Sequence, residues 1–321
     1  MQLIKGWKVS TFQSLLSESL LRHSKINTSY KMEVVILKRI ILTTESCSDL
    51  SKEILEEHNI PSVPFSLNFL DKTVDDGLIP VQEIYDFYRD TKEIPKTNAI
   101  TPYKYTEFFD GIAKKNPNAE IIHIGYSSAC SCSFQNATIG VRECKKAKVH
   151  LVDSLNVSGG LGSLALKAWE VIQENPQDSA AELVRKIQLY VAKIRMSFIP
   201  DTMEYLLAGG RVSNAAALTA TVLRLKPRID IVEGKLIATK KYRGSMQKIV
   251  SRFVEDFMEG KNFDLKKVHA FYSQGTDPLV MERLKSQLIE HGFKEIVIGT
   301  LGCVMTVHGG PGVVGLSAIE L

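Results

Sequence analysis

The sequence predicts an α/β protein of two domains, and three observations carry that prediction. Over residues 38–195, short β-type apolar runs alternate with helical patterns, which implies parallel βαβ units in a doubly wound, Rossmann-like sheet with helices on both faces. Over residues 196–321 the pattern changes to a hairpin followed by further helices and strands, an α+β arrangement. The length of 321 residues is large for a single hydrophobic core.

Residues 34–44 (VVILKRIILTT) form a β-type run. Ser48 and Asp49 are expected to cap a helix reaching His58, with Leu50, Ile54 and Leu55 on one face. Residues 62–69 read as one strand, followed by a polar loop with Asp71, Asp75, Asp76 and Gly77. A helix is expected over 80–90, a loop over 96–101 and a helix from Pro102, which suits a first turn, to Lys115. A strand over 120–124 runs into the Ser/Cys-rich turn 127–133 and then a helix to about Lys146. A strand over 149–152 precedes a small-residue helix start over 159–169. In the second half, runs 226–232 and 236–241 flank Glu233-Gly234-Lys235 as a hairpin. Helices over 245–258 and 277–291 alternate with strands over 268–272 and 295–299. The apolar segment before His308 reads as a strand. Residues 1–31 are expected to be an N-terminal extension, disordered, lacking the charged start and cleavage site of a signal peptide.

Composition excludes several classes. Apolar runs are too short for a membrane span. The net charge of +4 is spread along the chain, without the dense basic patch or motif of a nucleic-acid binder. Five unpatterned cysteines fit a reducing cytoplasm. Cys130-Ser-Cys132 has no second Cys/His pair at zinc spacing, so no metal is expected. No phosphate loop, dinucleotide fingerprint or nucleophile elbow is present.

In open α/β sheets ligands bind beyond the carboxyl ends of strands. Segments 44–49, 97–101, 125–133 and 153–160 fall there, all rich in hydroxyls and small residues. Ser127, Ser128, Ser131 and Ser133 stand at a helix start, where free N–H groups favour an anion, or where they simply cap the helix. His123, inside a strand, reads as a packed core histidine. Asp153 is either catalytic or the cap of the next turn. Gly209-Gly210-Arg211 breaks two helices. Arg211 either grips a carboxylate or phosphate in a bidentate contact or bridges to a neighbour such as Glu204. Val307-His308-Gly309-Gly310-Pro311-Gly312 crowds glycines and a proline around one histidine, a turn able to hold an imidazole at a pocket mouth.

Taken in order, these loops resemble the DegV family of fatty-acid-binding proteins, over about residues 38–321. Thr44-Glu45-Ser46-Cys47-Ser48-Asp49 is similar to the family's opening acidic segment, with Glu45 at its first acid. Lys96-Thr97-Asn98-Ala99-Ile100-Thr101-Pro102 resembles a second family loop, and 127–137 (SSACSCSFQNA) a third. Val152-Asp153-Ser154 with 158–162 (SGGLG), then 209–213 (GGRVS), Lys226-Pro227 and 308–312 (HGGPG) complete the set.

The resemblance implies two domains with a lipid site between them and one long-chain fatty acid bound in a buried tunnel. It implies no enzyme but a carrier, which presents the acid to a fatty acid kinase for acyl-phosphate formation feeding phospholipid synthesis in the cytoplasm. Transient membrane contact is compatible with that role. Thr97, Ser128 and His308 fall on the carboxylate-binding positions, with Arg211, Ser131 and Gly309 in support. The third loop departs from the family: two of its glycines are Ala129 and Cys132 here, residues that resist positive φ. Two rival readings stand beside the carrier. One is an enzyme acting on a small carbonyl or sugar substrate, with His308 as base or nucleophile. The other is a pure interaction module. Arg224, Arg228, Lys240, Lys241 and Arg243 form a basic group at the hairpin, either a solvated face or a docking surface for the kinase.

Overall fold

A computed structural model describes residues 39–214 and 225–321. The expected extension over 1–31, the start of the first strand and Arg224 lie outside the described residues. In chain order the elements are β1 (Ile40–Glu45), a 3-10 turn (Ser46–Ser48), α1 (Lys52–Glu57), β2 (Ser62–Val63), β3 (Ser66–Asn68), β4 (Thr73–Asp75) and α2 (Gln82–Thr91). Next come β5 (Lys96–Asn98), α3 (Pro102–Lys115), β6 (Glu120–Gly125), α4 (Ser133–Glu143), β7 (Lys148–Asp153), α5 (Ser158–Glu174) and α6 (Ala180–Val191). The second half holds β8 (Ile194–Ile199), α7 (Glu204–Gly209), β9 (Leu225–Val232), β10 (Lys235–Arg243) and α8 (Met246–Met258). It closes with β11 (Phe263–Tyr272), α9 (Pro278–Glu290), β12 (Glu295–Thr300), α10 (Cys303–Gly309) and β13 (Val314–Glu320).

Strands β2-β1-β6-β7 form a parallel sheet, as the alternation of strands and helices predicts. Strand β6 is buried along its whole length, the burial expected of a parallel strand covered on both faces. The second sheet has the order β10-β9-β8-β13-β11-β12, antiparallel except for β11 with β12. Helices α8 and α9 cover one of its faces. On α8 the buried residues are Met246, Ile249, Val250, Phe253, Val254 and Phe257, one apolar stripe at helical spacing. They meet Val268, Ala270 and Leu316 of the sheet in a single core cluster. Helix α5 is the layer shared by the two sheets, packing on β1 and β6 and also on β8, β11 and β13.

Several expectations are corrected. Helix α1 begins at Lys52, not after Ser48-Asp49, and Ser51 caps it by accepting from Ile54 N at 3.3 Å. Asp49 adopts a left-handed conformation (φ 51°), and its carboxyl is engaged elsewhere. The strand expected over 62–69 is two strands. Pro64, which cannot donate to a ladder, falls between β2 in the parallel sheet and β3 in a small antiparallel sheet of order β4-β3-β5. The loops expected over 71–77 and 96–101 supply β4 and β5 of that sheet. The apolar segment before His308 is a helix, α10, because two carboxylates from distant loops receive its first N–H groups.

Candidate functional site

The site is assembled around α10. Gly302 N donates to Asp49 Oδ1 at 2.8 Å, and Cys303 N and Val304 N donate to Asp76 Oδ1 at 3.0 and 3.3 Å. These bonds satisfy orphan donors at the helix start and fix where its last turn lies. Asp49 is fully buried and also accepts from the Ser158 hydroxyl at 2.6 Å. Burial pushes its carboxyl up to about 8, while the bonds from Ser158 and Gly302 pull the other way. Burial raises Asp76 as well.

His308 occupies the last turn of α10. Its Nε2 lies 2.9 Å from Thr97 Oγ1, on the middle residue of β5. Its Nδ1 is buried and has no hydrogen-bond partner among the described residues. A Cβ on Gly209 would stand 2.5 Å from that nitrogen, so only glycine fits there. Burial of the ring, with the charge of Arg211 adding, pushes the imidazole down to about 4, and it is neutral in neutral solution.

Beside His308 lies a cavity of about 30 Å³ at the seam between the two sheets. Its polar lining is Tyr126, Ser158, Arg211 and His308, and Gly309 also borders it; the rest is apolar, chiefly Met196, Phe198, Leu206, Phe271, Leu301 and Met305. Arg211 is held by its own loop. Its Nη1 donates to Gly209 O at 2.6 Å, while Glu204 accepts from the Tyr88 hydroxyl at 2.7 Å. Val212 bridges Leu236, and Asn214 exchanges two bonds of 2.9 Å with Ala238, which stitches this loop to β10.

The serine loop behaves differently from the Thr97–His308 pair. Ser127 is buried and donates to Gly234 O of the hairpin turn at 2.7 Å; Cys130 Sγ donates to the same oxygen at 3.1 Å. Ser128 is exposed, with its N–H on Asp153 Oδ1 at 3.3 Å, and Ser131 Oγ accepts from Ser133 N at 3.1 Å. Neither Ser128 nor Ser131 lines the cavity. Asp153 serves as a local cap, accepting also from Leu155 N at 3.0 Å. Ala129 and Cys132 are not among the positive-φ residues, and Cys132 has φ −73°, so the loop needs no glycine at these positions.

Beneath this loop Glu45 is fully buried. It accepts from Tyr126 N at 3.1 Å and from the Tyr105 hydroxyl, and His123 Nε2 stands 3.4 Å away. Tyr105 also meets Ser133 Oγ at 2.8 Å, and His123 Nδ1 meets Thr43 Oγ1 at 2.9 Å. His123 is the core histidine that its strand position predicts. Nothing in the sequence marks the joint role of Asp49 and Asp76 or the cavity lining from β8, β11 and α10. Acidic residues in loops carry no mark of the distant helix they cap.

Fold and site define a two-lobed α/β protein with a mainly apolar cavity at the seam, a histidine in its lining and a threonine bonded to that histidine. The chain belongs to the DegV family: the family model described as "Uncharacterised protein, DegV family" matches residues 39–321. A DegV domain-containing protein of Clostridium perfringens is 27% identical over 293 residues, 88% of this chain and 99% of its own length. A fatty acid-binding protein of Thermotoga maritima is 24% identical over 285 residues, 86% of this chain and 96% of its own. Among solved structures, a DegV family protein of Thermus thermophilus described by its fatty acid binding superposes with a TM-score of 0.77. It is 25% identical and covers 88% of this chain and 100% of its own.

Proposed function

We propose that this protein is a carrier that buries the acyl chain of a long-chain fatty acid in the seam cavity and holds its carboxylate at Thr97 and His308. The observation that carries the reading is the buried His308 Nδ1, unpartnered among the described residues, with Nε2 on Thr97, in a mainly apolar lining. A carboxylate taken from water needs hydrogen bonds there. The ring, the Thr97 hydroxyl and the Arg211 guanidinium offer them. Ser128 and Ser131, which do not line the cavity, have no part in holding the carboxylate in this reading. The described relatives that bind fatty acids support the ligand class.

Burying about fourteen methylenes contributes roughly 11 kcal/mol gross at ~0.8 kcal/mol each, from which ordering and association subtract a large share. Sites for such ligands hold about 300 Å³ or more, so the lining must yield. Met196 and Met305, both in the lining, have the flexible thioether chains suited to that.

In this reading the carboxylate is presented to a fatty acid kinase in the cytoplasm, and the acyl phosphate feeds phospholipid synthesis. Arg243 is exposed, and in this reading it belongs to the surface that meets the kinase. Arg228 is not part of such a surface: it is buried, with Nε on Ser197 and Asp230. Lys240 pairs with Asp256 at 2.6 Å. An enzymatic role for His308 as base is less well supported, since the ring's hydrogen-bond partner among the described residues is a threonine rather than a carboxylate that would orient and charge it. The test is mass spectrometry of lipid extracted from protein expressed in bacteria. A bound C14–C18 acid is expected. Folded protein that neither carries such an acid nor binds one after delipidation would overturn the reading.

A further inference from the structure

We infer that Phe271 is the end wall of the seam cavity and sets the longest acyl chain it accepts, an inference that rests on the fatty-acid reading above. The register of the second sheet places it on the face that meets the cavity. Phe271 on β11 pairs with Gly315 of β13 and Gly299 of β12, whereas His269, two residues back on the same face, pairs with Ser317 and Val297. Paired residues share a face and residues two apart repeat it. This face packs on α5. The Phe271 ring is caught between the two lobes. A Cβ on Gly315 would come within 2.1 Å of the ring, and a Cβ on Gly159 of α5 within 2.3 Å. Both glycines are the room the ring occupies, and it is 1% exposed.

Behind the ring stands a second layer. His269 Nδ1 donates to Gly159 O at 3.2 Å, and its Cε1 edge rests on Gly162. Beyond lies another cleft of about 290 Å³, lined among others by Leu166, Lys167, Glu170, His269, Val297 and Ser317. Phe271 belongs to the lining of the seam cavity and not to this cleft; His269 and Ser317 belong to the cleft and not to the cavity. One aromatic ring and the layer behind it therefore divide two voids along the same face of α5. The far side is also a poor place for an alkyl terminus. His269 Nε2 and Ser317 Oγ are buried without partners among the described residues, and Lys267 and Glu170 pair at 2.9 Å across the cleft. Sealing against that polar side is as much the ring's function as ending the channel.

The test is a chain-length profile. Dissociation constants for saturated C12, C14, C16, C18 and C20 acids are measured on delipidated full-length wild type, Phe271→Ala and Phe271→Leu, each with an unchanged circular dichroism spectrum. Truncation leaves a void the neighbours fill only in part, so the preferred length should rise by about two to four carbons in the alanine variant and by less in the leucine variant. The leucine variant keeps the test decisive where alanine does not fold. An unchanged profile in a folded variant, with wild type binding normally, overturns the end wall alone. Wild type that binds none of the five acids overturns the fatty-acid reading and the end wall with it.

Discussion

The Thr97–His308 contact joins residues 211 positions apart. Replacing Thr97 by Val removes the hydroxyl and leaves His308 Nε2 unpaired, a loss of about 1 kcal/mol in the free protein. The expected outcome is a fall in Tm of a few degrees, with fatty-acid affinity reduced about tenfold or more, by titration calorimetry. The neutral state of His308 gives a second readout at the same scale. With the free imidazole held near 4, a carboxylate brought beside it favours the protonated form. Binding between about pH 5 and 7 should therefore take up protons, seen as a binding enthalpy that changes with the ionisation heat of the buffer. His308→Gln, which cannot titrate, should bind without that dependence. A wild-type enthalpy independent of buffer would remove the imidazole from contact with the acid. Residue identities such as Thr97, His308 and Arg211 were legible because each sits in a segment of unusual composition. The environment of each was not: Ser127 and Ser128 are adjacent and alike in sequence, yet one is buried against Gly234 and the other is exposed.

Among the elements, α10 decides where the histidine stands, and Asp49 and Asp76 decide where α10 begins. Asp49 also links α10 to the first turn of α5 through Ser158. Because burial raises Asp49 to about 8, the folded protein keeps a proton that the unfolded chain has released above about pH 4. The stability this gives is complete below about pH 4 and is lost as pH rises through about 8. His308 and His269, both pushed down to about 4, act in the opposite direction, but only between about 4 and 6.5. Between about pH 6.5 and 8 Asp49 contributes a falling slope that the two histidines do not oppose. Asp49→Asn can keep both hydrogen bonds without titrating. It should flatten the decline of Tm across that window, and a decline as steep as in wild type would show that the proton resides elsewhere. The helix itself was unreadable because the run before His308 is apolar without a decisive period, and its caps come from loops over two hundred residues away. Elements with a strong internal pattern, such as the hairpin and α8, were read nearly to their ends.

At the scale of the whole molecule, α5 is the layer on which both sheets rest. Its first turns carry Gly159 and Gly162, small enough for the second sheet to approach until Phe271 and His269 touch its backbone. Two sheets that share one helix and one core cluster across the seam should not unfold separately. Calorimetry is expected to give a single transition, moved upward by saturating fatty acid through mass action. Two transitions, with only one moved by ligand, would mean that the lobes are energetically independent.

The sequence by itself determined the alternation of strands and helices, the change of pattern near residue 195 and the loops that carry polar chemistry. These are recorded in neighbouring residues, through periodicity, caps and turn chemistry. Only the tertiary structure decided which hydroxyl meets His308, which acids begin α10, that Asp49 keeps its proton near neutrality, and that Phe271 divides two voids. Each of those depends on segments brought together from different lobes, and on burial, which changes both the charge a group carries and the space it is allowed.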